Sequence, residues 1–331
     1  MNGEGKILLE AQKTARIAAL PGHAGEHAAA PTITLDHVSK WFGEKVALSD
    51  VSFAIGPGVT TLLGPNGAGK STVLKLLTGQ LRPSSGTVRV LGQPVIDNLP
   101  LYRRIGLVPE QESVYGFLTL REFVELAARL HGLARPREAA LRAIALVGLN
   151  DAAERRLDEF SKGMRQRAKI AQALVHEPEV LILDEPLTGA DPRQRLELIA
   201  LFERLAEQGA TILVSTHVLA EAERMGRNVL VLVDGKLAAE GDFRRIRDLM
   251  NDRPRRMRVR CERPRELAAL LVREPGTSEV RVQPDAIEVE TADLRAFALA
   301  VPRAARTVGA RLYAVEPLDE SLESVFRYLV E

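Results

Sequence analysis

The sequence lacks the features that mark several common protein classes. Its 331 residues include a single cysteine, Cys261, which excludes an internal disulfide framework and suits a reducing cytosol. No stretch approaches the run of about 18 apolar residues that a membrane-spanning helix needs. The formal net charge is +1, so overall charge favours neither nucleic acid nor an anionic surface. A role at a membrane would therefore need another polypeptide to supply the span.

The remaining composition is that of an ordinary globular protein with more than one domain. Hydrophobic residues make up 46% and charged residues 27% of the chain, whose length allows one large and one smaller domain. We predict a flexible N-terminal extension at residues 1–30 and a main domain at 31–243 with a helical insertion at about 112–175. A small α+β domain is predicted at residues 250–331.

A glycine-rich segment fits the phosphate-binding pattern G-x-x-x-x-G-K-[ST] at Gly64, Gly69, Lys70 and Ser71. An apolar, β-branched run precedes it and a helical pattern follows, so several backbone N–H groups should point into one anion site. Lys70 is expected to reach the β- and γ-phosphates of a nucleotide and the Ser71 hydroxyl to bind Mg²⁺. The predicted nucleotide-binding residues here are Gly64, Pro65, Asn66, Gly67, Ala68, Gly69, Lys70, Ser71 and Thr72.

Two apolar runs end in residues that can carry out chemistry. One run leads into Asp184 and Glu185 and the next ends at His217, and alternation of such runs with helices predicts a doubly wound α/β core. Asp184 is expected to hold the Mg²⁺ shell. Glu185, pointing the opposite way along the strand, is expected to act as base or to orient the attacking water. His217 is expected to contact the γ-phosphate or hold that water.

Two aromatic residues, Trp41 and Phe42, lie in a segment predicted to be a loop between the first two strands. An aromatic ring here could stack on an adenine face, or it could cover an edge of the core. The sequence leaves both interpretations open.

These segments, taken in order, resemble the ATP-binding subunit of an ABC transporter over about residues 31–242. The resemblance rests on Phe42, the phosphate loop, the Ser161-Lys-Gly-Met segment, Asp184-Glu185, the Thr188-Gly-Ala-Asp-Pro turn and His217. It implies a nucleoside-triphosphatase core with a mostly parallel sheet, an antiparallel β subdomain and a helical insertion. It also implies ATP and Mg²⁺ as cofactors.

The resemblance also implies roles for individual residues. Phe42, or its neighbour Trp41, matches the adenine-stacking aromatic, Glu185 the catalytic carboxylate and His217 the switch histidine. Ser161, Gly163 and Met164 match the family's signature segment, which closes on the ATP bound by the opposite subunit. Asp191 matches a residue of the loop that communicates across the dimer. In the family, the Mg²⁺-sensing residue is a glutamine directly after a proline. Here Pro109 is followed by Glu110 and then by Gln111, so the match is to either Glu110 or Gln111.

The signature and the turn also depart from the commoner family pattern. Ser-Lys-Gly-Met replaces Ser-Gly-Gly-Gln, with Ser161 and Gly163 kept, and Ala190 replaces a leucine before Asp191.

The implied activity is Mg²⁺-dependent ATP hydrolysis by a dimer, with an identical or similar second ATP-binding subunit. That dimer would drive a separate integral-membrane permease from the cytoplasmic face of the cell membrane, with no nucleic acid as partner. The signature and the C-terminal extension resemble those of exporter ATPases. The rival interpretation is a soluble ABC ATPase acting on ribosomes or DNA.

The predicted C-terminal domain follows an arginine-rich bridge at residues 244–260. Its predicted elements begin in the ferredoxin-like order and end in a helix at residues 318–329. The arginines could contact anionic lipid headgroups, but interspersed acidic residues favour a solvated, self-paired surface. No catalytic pattern occurs here, so we expect regulation or a dimer contact.

Overall fold

A computed structural model describes residues 31–111, 114–226, 228–242 and 254–318. The chain divides between Asp242 and Phe243 into two compact units, called unit 1 and unit 2. The predicted N-terminal extension, most of the predicted last helix and the first part of the arginine-rich bridge lie outside the described residues.

Unit 1 contains ten strands and seven α-helices within its described residues, plus two short 3-10 turns at Asn150–Ala152 and Leu157–Glu159. The strands are β1 Ile33–Phe42, β2 Lys45–Ile55, β3 Gly58–Leu63, β4 Ser85–Val90, β5 Gln93–Pro94, β6 Ile105–Val108, β7 Val180–Asp184, β8 Thr211–Thr216, β9 Asn228–Val233 and β10 Lys236–Asp242. The helices are α1 Lys70–Leu77, α2 Leu99–Tyr102, α3 Leu120–Leu130, α4 Pro136–Leu146, α5 Lys162–Leu174, α6 Pro192–Glu207 and α7 Leu219–Arg224.

The central sheet of unit 1 has six strands in the order β10-β9-β3-β8-β7-β6. All neighbouring pairs are parallel except β9 and β10, which form an antiparallel hairpin. Strand β7 is buried throughout, and its side chains alternate between two hydrophobic clusters on opposite faces of the sheet. A strand covered on both faces explains why this segment reads as an unbroken apolar run. The predicted α/β core with a mostly parallel sheet is confirmed.

A second sheet is antiparallel, with the strand order β2-β1-β4-β5. It supplies the predicted antiparallel subdomain, but the predicted loop at residues 39–43 is wrong in extent. The structure extends β1 through Phe42, because Trp41 pairs with Val46 and Phe42 with Lys45 across the hairpin. The turn falls at Gly43, whose φ is 58°. Pairing with β2, despite interruptions in register, thus extends the strand into a segment whose local sequence suggests a loop.

The helices between β6 and β7 form their own apolar cluster, which continues into one face of the central sheet. Helix α3 begins with a capping box in which Thr119 accepts from the Glu122 N–H and the Glu122 carboxylate accepts from the Thr119 N–H. Its buried face packs against α4 and α5. The sequence between the two core strands therefore forms a helical layer.

Unit 2 contains a four-stranded antiparallel sheet in the order β12-β13-β11-β14. Its elements follow the strand-helix-strand-strand-helix-strand order of ferredoxin-like domains. They are β11 Arg255–Cys261, α8 Pro264–Leu271, β12 Thr277–Val282, β13 Ala286–Thr291, α9 Leu294–Val308 and β14 Leu312–Pro317. A separate hydrophobic cluster fills unit 2 and includes the buried Cys261.

Three arginines of the bridge contact acidic residues within unit 2. Arg256 and Arg258 approach Glu288 at 3.4 and 2.8 Å, and Arg260 approaches Asp285 at 3.5 Å. The two neighbouring guanidinium groups, through hydrogen bonding and charge, lower the pKa of the Glu288 carboxyl below its ordinary value. The self-paired interpretation is confirmed for these three arginines.

Gly64, where β3 ends, offers a direct test of this packing. A Cβ atom added there would lie 2.3 Å from the backbone oxygen of Leu232 on β9, so the sheet itself would have to move. We expect Gly64→Ala to lower the free energy of unfolding by about 1–3 kcal/mol, the usual cost of overpacking.

The matched control is Gly56→Ala, since no atom lies within 4 Å of a Cβ added at Gly56. Urea unfolding of both variants measures the difference. Equal stability of the two would contradict the close approach of Gly64 to β9.

Candidate active site

The loop between β3 and α1 places a cation at the carboxyl edge of the central sheet. Gly67 and Gly69 adopt φ values of 85° and 105°, a region that side chains other than glycine disfavour. Lys70 opens α1 and is buried; its Nζ donates to the backbone oxygens of Gly64 at 2.7 Å and Pro65 at 3.2 Å. The loop therefore wraps around its own lysine, with the first N–H groups of α1 at the same end.

Three carboxylates act on that lysine. Burial lowers the pKa of Lys70 below its ordinary value, and the negative charges that oppose this shift belong to Glu185, Asp184 and Glu110. The parallel neighbours β3, β8 and β7 end at the same edge of the sheet, which explains how residues so far apart in sequence converge. Both alternatives for the Mg²⁺-sensing residue, Glu110 and Gln111, follow β6, whose last residue Val108 pairs with Leu183 of β7, so both lie near this edge.

Asp184 is fixed by a neighbour that the sequence analysis missed. The Ser215 hydroxyl donates to Asp184 Oδ1, and the Ser215 oxygen accepts from the Glu185 N–H at 3.2 Å. Ser215 is fully buried and lies opposite Asp184 in the β7–β8 register. Ser215 could have been singled out from the sequence, because it lies two residues before His217 at the end of a predicted buried strand.

Glu185 lies just beyond β7 and not on it, which corrects the expectation that it alternates with Asp184 along a strand. Its φ of 49° is left-handed, because its N–H turns toward Ser215 on β8. Glu185 Oε1 lies 2.8 Å from His217 Nδ1. Burial raises the pKa of the Glu185 carboxyl, while His217 and Lys70 oppose the shift. A buried carboxylate of raised basicity, oriented by a histidine, can accept a proton.

The donor set at this edge fits a magnesium ion bound together with a phosphate. Mg²⁺ binds proteins through one or two carboxylates or hydroxyls and takes its other oxygen ligands from phosphate and water. Asp184 at the end of β7 and the hydroxyl-bearing Ser71, which follows Lys70 in α1, supply groups of this kind. Among the residues that the structure describes, no cluster of three or more His, Cys, Asp or Glu is arranged to hold a metal ion.

The predicted signature begins a helix. Ser161 is the N-cap of α5, and its hydroxyl accepts from the Met164 N–H at 3.3 Å. A Cβ on Gly163 would lie 2.9 Å from the backbone oxygen of Gly189, so the signature packs closely against the loop before α6. Asp191 caps α6 by accepting from the Gln194 N–H at 2.9 Å. Both predicted dimer segments therefore lie side by side, with helix N-termini behind them.

The two aromatic residues at the end of β1 are half-exposed. Trp41 is 46% and Phe42 49% exposed, and the Lys40 ammonium lies 5.0 Å from the centre of the Phe42 ring. Neither ring belongs to a described hydrophobic cluster. Neither ring is buried in the core, and about half of each ring is accessible to a planar ligand.

A buried lysine in α5 was also missed by the sequence analysis. Lys169 donates to the backbone oxygens of Pro109 at 2.7 Å and Gln111 at 3.0 Å. Its position beside the apolar Ile170 and Ala171, on a buried helix face, is the signal that could have singled it out.

Comparison with known proteins places this geometry in a family. Residues 48–188 match the family described as ABC transporter. The chain is 37% identical to the Bacillus subtilis ABC transporter ATP-binding protein YxlF, over 65% of this chain and 72% of that protein. It is 38% identical to a Nod factor export ATP-binding protein I of Paraburkholderia xenovorans, over 63% and 70% of the two chains.

Solved structures show the same fold. An ATP-binding subunit of an ABC transporter superposes with a TM-score of 0.61 at 32% identity, covering 66% of this chain and 93% of that one. A dimeric ATP-binding cassette bound to ADP and phosphate superposes with a TM-score of 0.59 at 28% identity, covering 63% and 98%.

The helices of the described residues include none that is long and apolar enough to cross a membrane. The phosphate loop, the carboxylates at the sheet edge and the similarity in sequence and fold lead to one conclusion. The chain belongs to the ABC transporter ATP-binding protein family.

Proposed function

We propose that this chain hydrolyses ATP as the energising subunit of an ABC exporter. The observation that carries the proposal is that the phosphate loop with Lys70 and the carboxylates Asp184 and Glu185 lie at the same edge of the sheet, because β3 and β7 both pair in parallel with β8. A buried cation in a glycine loop is suited to a triphosphate, and the carboxylates opposite it are suited to a metal and a water.

The nucleotide would bind across the phosphate loop and the tip of the β1–β2 hairpin. The N–H groups of residues 64–72 would face the phosphates, and Lys70 would exchange its bonds to loop carbonyls for phosphate oxygens. Phe42 or Trp41 would stack on adenine. Ser71 and Asp184 would hold Mg²⁺, with Glu110 directed at the same site. Bound Mg²⁺ would neutralise charge that develops on the phosphates.

Glu185 would act as the general base. It would accept a proton from the water whose oxygen forms a bond to the γ-phosphorus, as the bond from that phosphorus to the β,γ-bridging oxygen breaks. The raised pKa of Glu185 makes it a stronger base than an ordinary glutamate, and its bond to His217 fixes the direction of its carboxylate. His217 would also contact the γ-phosphate.

Two chains would close around two nucleotides. Ser161, Gly163 and Met164 lie at the start of α5, where a hydroxyl and free N–H groups suit the γ-phosphate held by the partner. Asp191, at the neighbouring start of α6, would communicate across the dimer. The dimeric state of the similar cassette bound to ADP and phosphate supports this arrangement.

A separate permease would dock on the helical layer at the cytoplasmic face of the cell membrane. Phe117 is 70% exposed just before α3, and its ring lies 6.1 Å from that of Tyr115. Exposed neighbouring aromatic residues mark contact surfaces more often than scattered ones do. The relatives named for Nod factor export support export as the direction, but they do not identify this chain's cargo.

The two units are proposed to have different roles. We assign ATP hydrolysis to residues 31–243, with the helical insertion at about 112–175, and an accessory role to residues 250–331. Arg256, Arg258 and Arg260 pair with acidic residues of unit 2 itself, which fits regulation or a dimer contact better than lipid binding.

Glu185→Gln tests the chemical step. We expect ATP binding to be retained and turnover to fall by roughly 100-fold or more, because the base is lost. ATP should then hold the variant as a dimer, measured by size-exclusion chromatography. Thermal stability near neutral pH should rise, because burial raises the pKa of Glu185 and makes its charged form costly in the folded state.

The matched control is Glu203→Gln on the exposed side of α6, which should behave as the unmodified chain. Hydrolysis by Glu185→Gln at the rate of that control would rule out Glu185 as the base.

Purification of the tagged full chain from detergent-solubilised membranes tests the partner. We expect a multi-span membrane protein to elute with it and Phe117→Ser to reduce its recovery, because that variant removes an exposed ring from the proposed contact. Leu299→Ser is the matched control, since Leu299 is equally exposed on unit 2. Recovery of ribosomes in place of a membrane protein would favour the rival function.

A further inference from the structure

Helix α5 carries a lysine in a position normally reserved for apolar side chains. Lys169 is 2% exposed and lies among the residues that pack α5 against the core. A buried ammonium is costly unless nearby polar groups meet it, so its contacts are a structural requirement. Those contacts therefore show what the lysine holds in place.

The Lys169 ammonium is bonded to the loop that follows β6. Its Nζ lies 2.7 Å from the backbone oxygen of Pro109, 3.0 Å from that of Gln111 and 3.5 Å from that of Glu110. Three successive carbonyl oxygens thus converge on one ammonium, which has three hydrogens to donate. Because these carbonyls face Lys169, the path of the backbone at residues 109–111 is fixed from the side of α5.

The loop held in this way carries a charge into the active site. Val108, the last residue of β6, pairs with Leu183 of the parallel strand β7, so Glu110 follows at the same edge of the sheet as Asp184. Glu110 also lines a cavity of about 180 Å³ together with Gln166, Thr188 and Lys169 itself. Because open space adjoins Glu110, the hydrogen bonds from Lys169 to the loop backbone contribute more to fixing its position.

The same helix begins at the signature. Ser161 caps α5 eight residues before Lys169, which is about 12 Å along a helix axis. One rigid helix therefore connects the hydroxyl proposed to meet the partner's nucleotide with the ammonium that holds the Glu110 loop.

We propose that Lys169 is a positioning residue that holds Glu110 toward the metal of its own nucleotide and ties that loop to the signature serving the other nucleotide. The inference rests on the proposed function. Lys169, which lies outside the phosphate loop, thereby gains a role. Through α5, each chain would connect its own nucleotide site with the site of its partner. Glu110, and not Gln111, is then the side chain directed at the metal.

The test replaces Lys169 by methionine, which keeps length and apolar volume but removes the ammonium. Nucleotide affinity without metal is measured by the fluorescence of Trp41, the single tryptophan of the chain, and metal affinity by electron paramagnetic resonance of Mn²⁺ with ATP. We expect Lys169→Met to leave metal-free ATP affinity unchanged and to weaken Mn²⁺ binding roughly 10-fold, as for other residues that orient metal-facing groups.

Two further variants sharpen the result. Lys236→Met removes an exposed lysine on β10 and should bind Mn²⁺ like the unmodified chain. Lys169→Gln keeps an amide donor in a shorter side chain, so its loss of Mn²⁺ affinity should be smaller than that of Lys169→Met.

Mn²⁺ binding by the folded Lys169 variants at the affinity of the unmodified chain would overturn the inference. If Lys169→Met lost as much affinity for metal-free ATP as for Mn²⁺, that would also overturn the inference, because the substitution would then disturb the whole site. Failure of the unmodified chain itself to bind ATP would overturn the proposed function, and this inference with it.

Discussion

The structure depends on keeping one ammonium buried at the edge of a parallel sheet. Lys70 lies under its own glycine loop, bonded to the carbonyl oxygens of Gly64 and Pro65, with acidic groups opposite. Burial lowers its pKa, so a ligand that brings negative charge to the ammonium would stabilise its charged form. A triphosphate brings that charge, and the loop N–H groups and the helix start add to the attraction.

Sheet register brings the proposed catalytic groups to the same level. Leu63, the last residue of β3, pairs with Thr216 on β8, and Asp184 pairs with Ser215 on the same strand. The residues just beyond each strand then emerge side by side, which places Glu185 against His217. Ser215 holds both acidic residues through one hydroxyl, so its burial is as important to the geometry as the charged groups themselves.

The sequence was most informative where a pattern demands one backbone shape. The phosphate loop and the buried strands before Asp184 and His217 were predictable from residue type and spacing. The left-handed turn at Glu185 was not, because it arises from a bond to a strand thirty residues away. Lys169 and the extension of β1 through Phe42 also depend on distant pairing, which local sequence does not encode.

The most direct test of this account is a titration of the purified chain with ATP, followed by Trp41 fluorescence, alongside Lys70→Ala. The account predicts saturable binding of one ATP per chain, and a large loss of affinity when the Lys70 ammonium is removed, because buried charge-assisted bonds to phosphate disappear. Binding of equal strength by Lys70→Ala, or no saturable binding by the unmodified chain, would contradict it.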